Sequence, residues 1–445
     1  MDYFRQVVAA FLTMSMFLML GNMIKREHID PLLMPVNAPQ VSLGFQHNVF
    51  NVKVAHLTTG SSTDAMRPCW KKFSALKAQQ REQSEGYVHF SLTNGPEYHV
   101  LQIANAIFIA KHLRAKLVLP DIQGTKGGEK RAFGEIYDTK KFITSLDEII
   151  EVVNQDHSTT FDEEEHKEKD IDIVKIPKRV TTEFINSKIE PIFRKKKQVR
   201  LMTSTSQYPS LTFRRAYERS DHFTNPYACL AIFGSLKLKP ELEELVEMMV
   251  RTLQFLSLKS SGGQFVAVDL RVEELEKNKM MMMSCKKNDT SGATNKQSSC
   301  FGAKEIGQWM KKIGFGKDAT IYITQTGWHK SLQPFREYYP NIFTKDSLMP
   351  LDMRARYLNS NNFQYDKYID FYLSVKSNVF VPTSSNLFYA SVSGLRIASG
   401  NTQIIAPPGR RSISSSSSPL SSEADMNYLS PYVLNKTHIA YSCLC

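Results

Sequence analysis

The sequence predicts an α/β protein with two Rossmann-like lobes that face each other across a cleft, preceded by an N-terminal membrane anchor helix. Its 445 residues are enough for two domains. A strand–helix–strand pattern begins near residue 86, and a second series of strand and helix patterns begins near residue 262. Hydrophobic residues make up 42% and charged residues 22%, so a largely disordered chain is excluded.

The anchor is predicted from an uncharged stretch. Gln6 to Ile24 contains nineteen residues without a charged side chain or histidine, close to the ~20 that span a bilayer core. It ends in Met23 and Ile24 before Lys25, not in the small residues of a cleavage site, so we expect it to stay uncleaved. Charges flank both ends, and the positive-inside rule therefore sets no orientation. The terminus divides into a cytosolic tail (1–5), a signal anchor (6–24) and a stem (25–85).

Two patterns favour a body on the lumenal side of the membrane. Asn288 and Asn435 each begin an Asn-x-Thr glycosylation acceptor pattern. The six cysteines form an even set, in which Cys285 and Cys300 bracket a polar loop and are the most natural disulfide pair. The alternative that the cysteines stay reduced remains open. The cysteines lack histidines at zinc-site spacing, so no metal site is predicted.

The N-terminal lobe, residues 86–257, opens with a βαβ unit. Its other segments are a helix-rich stretch and two charge-rich runs that we interpret as solvated loops or helix faces. The predicted elements are a strand at 87–92, a helix at 98–113, a strand at 117–119, the helix-rich stretch 133–153, the charged runs 161–172 and 194–200, and a long amphipathic helix at 240–257.

The C-terminal lobe, residues 258–445, repeats the alternation of strands and helices. Its elements are a strand at 265–271, a helix at 303–313, a strand at 320–324, a helix near 331–339, a strand at 378–382, a helix at 385–395, a strand at 402–406 and a serine-rich surface loop at 410–422. Ligands of such sheets bind outside the carboxyl ends of the strands.

Arg271 follows the strongly apolar strand that begins at residue 265, with Asp269 before it and Glu273 after it. A guanidinium there can hold a diphosphate in two hydrogen bonds and neutralise it as a leaving group without a metal. The alternative is an ion pair of Arg271 with Asp269 or Glu273 at the edge of the sheet.

The loop that joins the first strand to its helix offers further polar groups. Asn94 and Gly95 precede the helix, whose amino end suits an anion or a polar sugar. Glu97 and His99 are candidate acceptors for the proton of a hydroxyl nucleophile. The alternative is helix capping by these residues.

A hydroxyl-rich turn follows the strand that ends at residue 382. Thr383, Ser384 and Ser385 suit a nucleotide, and Asp370 on the preceding helix is a candidate to orient a ligand or Arg271. The Asp-x-Asp sequence ending at Asp172 belongs to a solvated acidic run, so we do not interpret it as a metal site. The net charge of +12 suits an anionic ligand, while no nucleic-acid-binding motif is present.

Several of these segments together resemble the plant protein O-fucosyltransferase-like glycosyltransferases, and within them the mannan synthesis-related group. The segments are Asn105–Ala110, Leu117–Asp121, Phe133–Asp138, Asp269–Glu273 and Val379–Thr383, with Arg5–Ala9, Leu20–Arg26, Ser91–His99 and Ala440–Cys443. The resemblance implies a Golgi type II membrane protein with a lumenal GT-B-like body. It implies a role in mannan or glucomannan synthesis, with no metal and a nucleotide-sugar donor, GDP-linked in this family.

By the same resemblance Arg271 matches the arginine of the family's His-Leu-Arg-x-Glu motif, which contacts the diphosphate, and Thr383 and Ser384 match the nucleotide-holding region. This chain departs from the family in having Asp269 in place of histidine and Asn94–Tyr98 in place of a glycine-rich loop. The leading hypothesis is therefore an inverting glycosyltransferase with Arg271 at the leaving group and Glu97 as base. Alternatives are a protein O-fucosyltransferase that uses GDP-fucose and a non-catalytic accessory partner of a mannan synthase.

Overall fold

The computed structural model describes residues 68, 84–93, 95–124, 129–154, 171–177, 180–203, 226–272, 301–358, 365–407 and 428–444. These residues belong to one compact unit, Asn48–Cys445. The predicted anchor, Asn94, Asn288 and the predicted Cys285–Cys300 bridge lie outside them. Among the described helices, none combines the length and apolar character needed to cross a membrane.

The first sheet is mainly parallel, with β1 at its centre. Strands β2, β3 and β7 all pair with β1 in parallel, β6 adds to β7 and β5 to β2, and only β4 runs antiparallel. Its strands are β1 (Tyr87–Leu92), β2 (Lys116–Val118), β3 (Asp121–Gln123), β4 (Lys130–Arg131), β5 (Val152–Val153), β6 (Ile173–Ile176) and β7 (Gln198–Thr203).

The second sheet is parallel throughout, in the order β10-β9-β8-β11. Its strands are β8 (Phe265–Asp269), β9 (Thr320–Ile323), β10 (Ile342–Phe343) and β11 (Val379–Pro382). Every residue of β8, β9 and β11 is buried, as expected for a sheet covered on both faces by helices. Pro382 pairs with Asp269, so β8 and β11 end together at one edge.

Helices connect and cover both sheets. They are α1 (Pro96–Leu113), α2 (Thr139–Leu146), α3 (Thr182–Phe184), α4 (Glu190–Lys196), α5 (Pro226–Phe233), α6 (Pro240–Leu256), α7 (Leu258–Ser261), α8 (Ala303–Lys312), α9 (Gln333–Arg336), α10 (Lys345–Leu348), α11 (Leu351–Tyr357), α12 (Tyr365–Lys376), α13 (Leu387–Ala398) and α14 (Pro431–Leu434). A π turn, Ile185–Ile189, joins α3 to α4, and short 3-10 turns lie at Phe133–Glu135, Lys330–Leu332 and Ile439–Cys443. Helix α13 packs against both α1 and α12, so elements of the two sheets form one body.

A buried arginine ties the end of α12 to the second sheet. The guanidinium of Arg396, on α13, donates to the backbone carbonyls of Ser374 and Ser377 at 3.0 and 2.6 Å, and to that of Asn378 at 2.9 Å. It also reaches the carbonyl of Gln403 at 3.0 Å. The last carbonyls of a helix have no partner within the helix, so Arg396 satisfies groups that burial would otherwise penalise.

The C-terminal segment is fastened over α13. A disulfide joins Cys229 on α5 to Cys443, with Cα atoms 5.5 Å apart. The ring of His438 accepts from the amide of Ala440 through Nδ1 and donates to the carbonyl of Ala390 through Nε2. The pairing of Cys229 with Cys443, which are 214 residues apart, was not predicted from the sequence.

Three predicted elements differ from the structure. The run 194–200 is only partly a solvated helix face, because β7 begins at Gln198 and pairs with the central strand β1. The predicted strand at 402–406 forms only single bridges, at Ile404 and Ile405. The predicted helix at 331–339 is a 3-10 turn followed by the short α9. The strands of the first sheet precede residue 257 and those of the second sheet follow it. The predicted boundary between the two lobes at this residue stays a prediction.

Candidate active site at the carboxyl ends of the strands

Arg271 lies just beyond the end of β8 and is held by two contacts. Its Nε is 3.3 Å from Oδ1 of Asp269, and its guanidinium carbon lies 4.1 Å from the centre of the Phe388 ring on α13. The side chain keeps 19% of its surface exposed, whereas that of Asp269 keeps 3%. The predicted ion pair with Asp269 is therefore present, and it positions a partly exposed cation where a parallel sheet binds ligands. Glu273, the other predicted partner, lies outside the described residues.

Asp269 lies beneath Arg271, bound to neighbouring strand ends. Its carboxylate accepts a hydrogen bond from the hydroxyl of Thr324 at 3.0 Å, and its backbone carbonyl accepts one from Thr383. Because its side chain is buried and already bound, we expect Asp269 to orient the guanidinium and not to touch a donor directly. Thr383 likewise joins β11 to β8 with its hydroxyl.

Asp370 belongs to a buried charge cluster under the same edge. Its carboxylate accepts from Nζ of Lys345 at 2.6 Å and from the hydroxyl of Tyr322 at 2.5 Å. Burial raises the pKa of Asp370, while the positive charges of Lys345 and Arg271 act in the opposite direction. Asp370 was a predicted site residue, whereas Lys345, which follows β10 at this edge, was not predicted from the sequence.

The turn after β11 is capped by a residue outside the predicted trio. Asn386 is the N-cap of α13: its side-chain oxygen accepts from the amide of Tyr389 at 2.8 Å, and its nitrogen donates to Ser384 at 2.8 Å. Ser384 is half-buried and Ser385 is exposed. Ser384 and Ser385 thus lie beyond the end of β11 and are less buried than Thr383, whose hydroxyl binds the carbonyl of Asp269.

The start of α1 places Glu97 over Gly95. A Cβ atom on Gly95 would lie 3.0 Å from each carboxylate oxygen of Glu97, and Gly95 has a φ of 150°. The carboxylate therefore folds back over the amino end of the helix, where the helix dipole favours a negative charge. Glu97 is half-buried and lies in the first turn of α1, where the predicted interaction with the helix dipole requires it. Asn94, predicted to contact the donor, lies outside the described residues.

His99 is fully buried, and both its ring nitrogens are bound. Nε2 donates to the carbonyl of Thr93 at 2.6 Å, so Nδ1 accepts from the hydroxyl of Tyr137 at 2.7 Å. Burial lowers the pKa of His99 to about 4. The prediction that His99 binds a donor or takes a proton from a nucleophile is not supported by this geometry. Its role is to fix the loop that follows β1.

Helix α13 brings the two sheet edges together. Ser391 donates from its hydroxyl to the backbone carbonyl of Glu97 at 2.9 Å, one turn after Phe388. Residues three apart on a helix lie on the same face, ~5–6 Å apart. Arg271 on the second sheet and Glu97 on the first are thus anchored to adjacent turns of one helix. The region bounded by Arg271 and the start of α1 is the candidate crevice for a ligand.

Two further predictions from the sequence concern metal binding and glycosylation. Within the part of the chain that the structure describes, no three His, Cys, Asp or Glu side chains are placed to hold a metal ion. Asn435 is exposed at the end of α14, where a glycan can attach, and its glycosylation stays a prediction.

Comparisons with known proteins place these residues in a family context. Residues 99–398 match the model of the family described as GDP-fucose protein O-fucosyltransferase. The chain is similar to Protein MANNAN SYNTHESIS-RELATED 1 of Arabidopsis thaliana, at 42% identity over 99% of each chain. It is also similar to Protein MANNAN SYNTHESIS-RELATED of Trigonella foenum-graecum, at 36% identity over 99% of this chain and 98% of that protein.

Among solved structures, the crystal structure of POFUT1 in complex with GDP matches 73% of this chain and 99% of its own. Its sequence identity is 12% and the TM-score is 0.39. The resemblance read from the sequence motifs is confirmed by the family match and the full-length relatives.

Proposed function

The chain belongs to the GDP-fucose protein O-fucosyltransferase family and is a glycosyltransferase, and we propose that it acts in the synthesis of mannan or glucomannan. Its full-length relatives carry names that refer to mannan synthesis. These names support mannan or glucomannan as the polysaccharide that is made. The observation that carries the proposal is the position of Arg271: its side chain, 19% exposed, lies at the carboxyl end of a buried parallel strand, and Asp269 and Phe388 hold its guanidinium.

The proposed reaction is an inverting transfer from a nucleotide sugar, GDP-linked, to a glycan hydroxyl. The hydroxyl oxygen bonds to the anomeric carbon as the bond from that carbon to the diphosphate breaks, and the diphosphate leaves with the electron pair. Arg271 stabilises the negative charge that develops on the diphosphate. The hydroxyl proton passes to a carboxylate, for which Glu97 at the start of α1 is the candidate because Ser391, one turn after Phe388 on α13, binds its backbone carbonyl.

No metal is required in this proposal, since the guanidinium supplies the positive charge at the leaving group. Ser384 and Ser385, beyond the edge of β11, are the proposed contacts to the nucleotide. Asp269 and Asp370 act through Arg271, one by direct contact and the other from the buried cluster below it. The two sheets, the first mainly parallel and the second parallel throughout, support a GT-B-like assignment.

The proposal includes a Golgi location, as a single-pass type II membrane protein with its body in the lumen. The uncharged stretch 6–24 supports an anchor. The Cys229–Cys443 disulfide supports an oxidising compartment, because disulfides are rare in the cytosol. The partners proposed are the nucleotide sugar, a mannan or glucomannan acceptor and a mannan synthase.

Donor binding and turnover test this function. The full-length protein, made in a secretory pathway and purified in detergent, is given GDP-mannose, GDP-fucose or UDP-rhamnose with a manno-oligosaccharide acceptor, or GDP-fucose with a folded protein domain. Transfer to the oligosaccharide supports the proposal. Transfer to the protein domain alone favours the protein O-fucosyltransferase alternative, and binding of no donor favours the accessory alternative.

A further inference from the structure

A cavity of about 270 Å³ lies outside the crevice of Arg271, among α1, the α5–α6 connection, α12 and α13. Pocket volumes for small ligands begin at ~300 Å³, so this cavity suits one small ring and not a nucleotide sugar. No step of the proposed transfer uses it.

One wall of the cavity is aromatic. Phe371 and Tyr372 on α12 and Tyr137 line it. Phe371 is buried and packs edge-on against Phe388, at 5.7 Å between ring centres, whereas Tyr372 is half-buried. Broad apolar ring faces in a partly open pocket favour a ligand that itself has an apolar face.

The mouth of the cavity is polar, and its charges have both signs. Lys237, Ser399 and Asn401 are exposed lining residues, and Glu243 is half-buried. Burial, with the charge of Glu243, raises the pKa of the Tyr372 phenol, and both residues line the cavity. Lys376 also lines the cavity, but Glu247 already holds it in an ion pair. With Lys376 already paired, Lys237 and Glu243 leave one charge of each sign at the cavity, a balance that favours a neutral ligand with hydroxyl groups.

The cavity adjoins the candidate active site along one face of α13. Phe388, Ser391 and Leu395 recur at helical spacing: Phe388 contacts Arg271, Ser391 contacts Glu97 and Leu395 lines the cavity. At 1.5 Å per residue, Phe388 and Leu395 are about 10 Å apart along the helix axis. The cavity and the residue that contacts Arg271 are therefore about two turns apart on one helix.

We propose that this cavity is a saccharide subsite that holds one neutral hexose unit of the acceptor glycan. A pyranose ring has an apolar face for Phe371 and Tyr372 and a rim of hydroxyl groups for Glu243 and Asn401. The identity of the glycan rests on the proposed function, whereas the preference for a neutral sugar rests on the cavity alone.

The test measures binding of mannotriose and of GDP to the full-length protein by calorimetry. Val375→Trp and Leu395→Trp each add an indole to the cavity, and Leu351→Trp adds one at a position 78% exposed, as the matched control. The two cavity variants should weaken mannotriose binding by about tenfold or more, a loss of the kind expected when a pocket is filled, and leave GDP binding unchanged. Arg271→Ala should keep mannotriose binding.

Hydrogen exchange on the unaltered protein gives a readout that needs no variant. Mannotriose should slow exchange in residues 371–376 and 395–401. The proposal is overturned if the parent does not bind mannotriose, if protection falls only elsewhere, or if the cavity variants bind it as the control does. Failure of the proposed function is a separate result. In that case the parent would bind mannotriose but would not bind a nucleotide sugar or transfer its sugar.

Discussion

The guanidinium of Arg271 lies 4.1 Å from the ring centre of Phe388, so a cation at the end of β8 rests on the first turn of α13. The next turn of that helix holds Glu97 through Ser391. This contact makes the geometry of the crevice depend on α13, which joins elements of both sheets. Changes to residues that position Arg271 should therefore affect transfer without removing any group that touches the donor.

Asp269→Asn should lower kcat by about tenfold to a hundredfold, because a misplaced catalytic group costs rate even when it is present. The amide still accepts from Thr324 but loses its charge beside Arg271. KM for the donor should change much less than kcat. Steady-state kinetics with varied donor check this split, and an unchanged kcat would show that Asp269 does not position Arg271.

Lys345→Met should lower the free energy of unfolding by about 3–5 kcal/mol, because it leaves Asp370 as a buried charge without its lysine. The double variant Lys345→Met/Asp370→Leu should recover part of this loss. Arg194→Met removes an exposed ion pair with Glu190 and serves as the control, with an expected change below about 1 kcal/mol. Urea unfolding measures the stability of all three variants. Equal losses for Lys345→Met and Arg194→Met would contradict the claim that Lys345 and Asp370 form a buried ion pair.

The stability of the protein should fall as the pH drops from about 6.5 towards about 4. Burial lowers the pKa of both His99 and His438 to about 4, from 6.5, so the folded state holds these rings neutral while the unfolded state binds protons. At pH 5, each histidine should therefore lower the free energy of unfolding by about 2 kcal/mol relative to its value where both states hold the ring neutral.

Urea unfolding at several pH values measures this loss. The variant His99→Gln, whose side chain does not titrate, should show a shallower dependence on pH than the parent. A parent curve that is flat between about pH 6.5 and about pH 5 would contradict the buried neutral rings.

Cys229→Ser should lower the free energy of unfolding by about 2–5 kcal/mol under oxidising conditions and by much less in the presence of a reductant. The bond closes a long loop and fastens the C-terminal segment over α13. Mass spectrometry of non-reduced peptides should find Cys229 linked to Cys443. The same experiment checks the sequence-based prediction of a Cys285–Cys300 bridge, and a different partner for Cys229 would contradict the structure.

Much of the strand framework was predictable because β8 and β11 are short apolar runs buried on both faces. Their parallel order then predicted that Arg271 and Thr383 would share an edge. Strand β7 was missed because three lysines precede it. They belong to the end of α4 and the turn after it, and the strand begins one residue later.

The rest of the site depends on contacts between segments distant in sequence. Lys345 is buried because Asp370 and Tyr322 surround its charge, and local sequence does not encode that pairing. His99 lies near a helix start, a common place for ligand contacts, but its ring turns inward to Tyr137. Pairing of Cys229 with Cys443 likewise follows from the fold of the C-terminal segment.

The most direct test of the central claim compares Arg271→Ala with Arg251→Ala in sugar transfer from the nucleotide sugar that the parent uses. Arg251 is an exposed arginine on α6, so its removal controls for the loss of one positive charge. The rate of transfer by Arg271→Ala should fall by about 10²–10³-fold, because the variant loses one group that stabilises the charge on the leaving group. The rate of transfer by Arg251→Ala should stay close to that of the parent. Equal transfer by the two variants would contradict the claim that Arg271 stabilises the departing diphosphate.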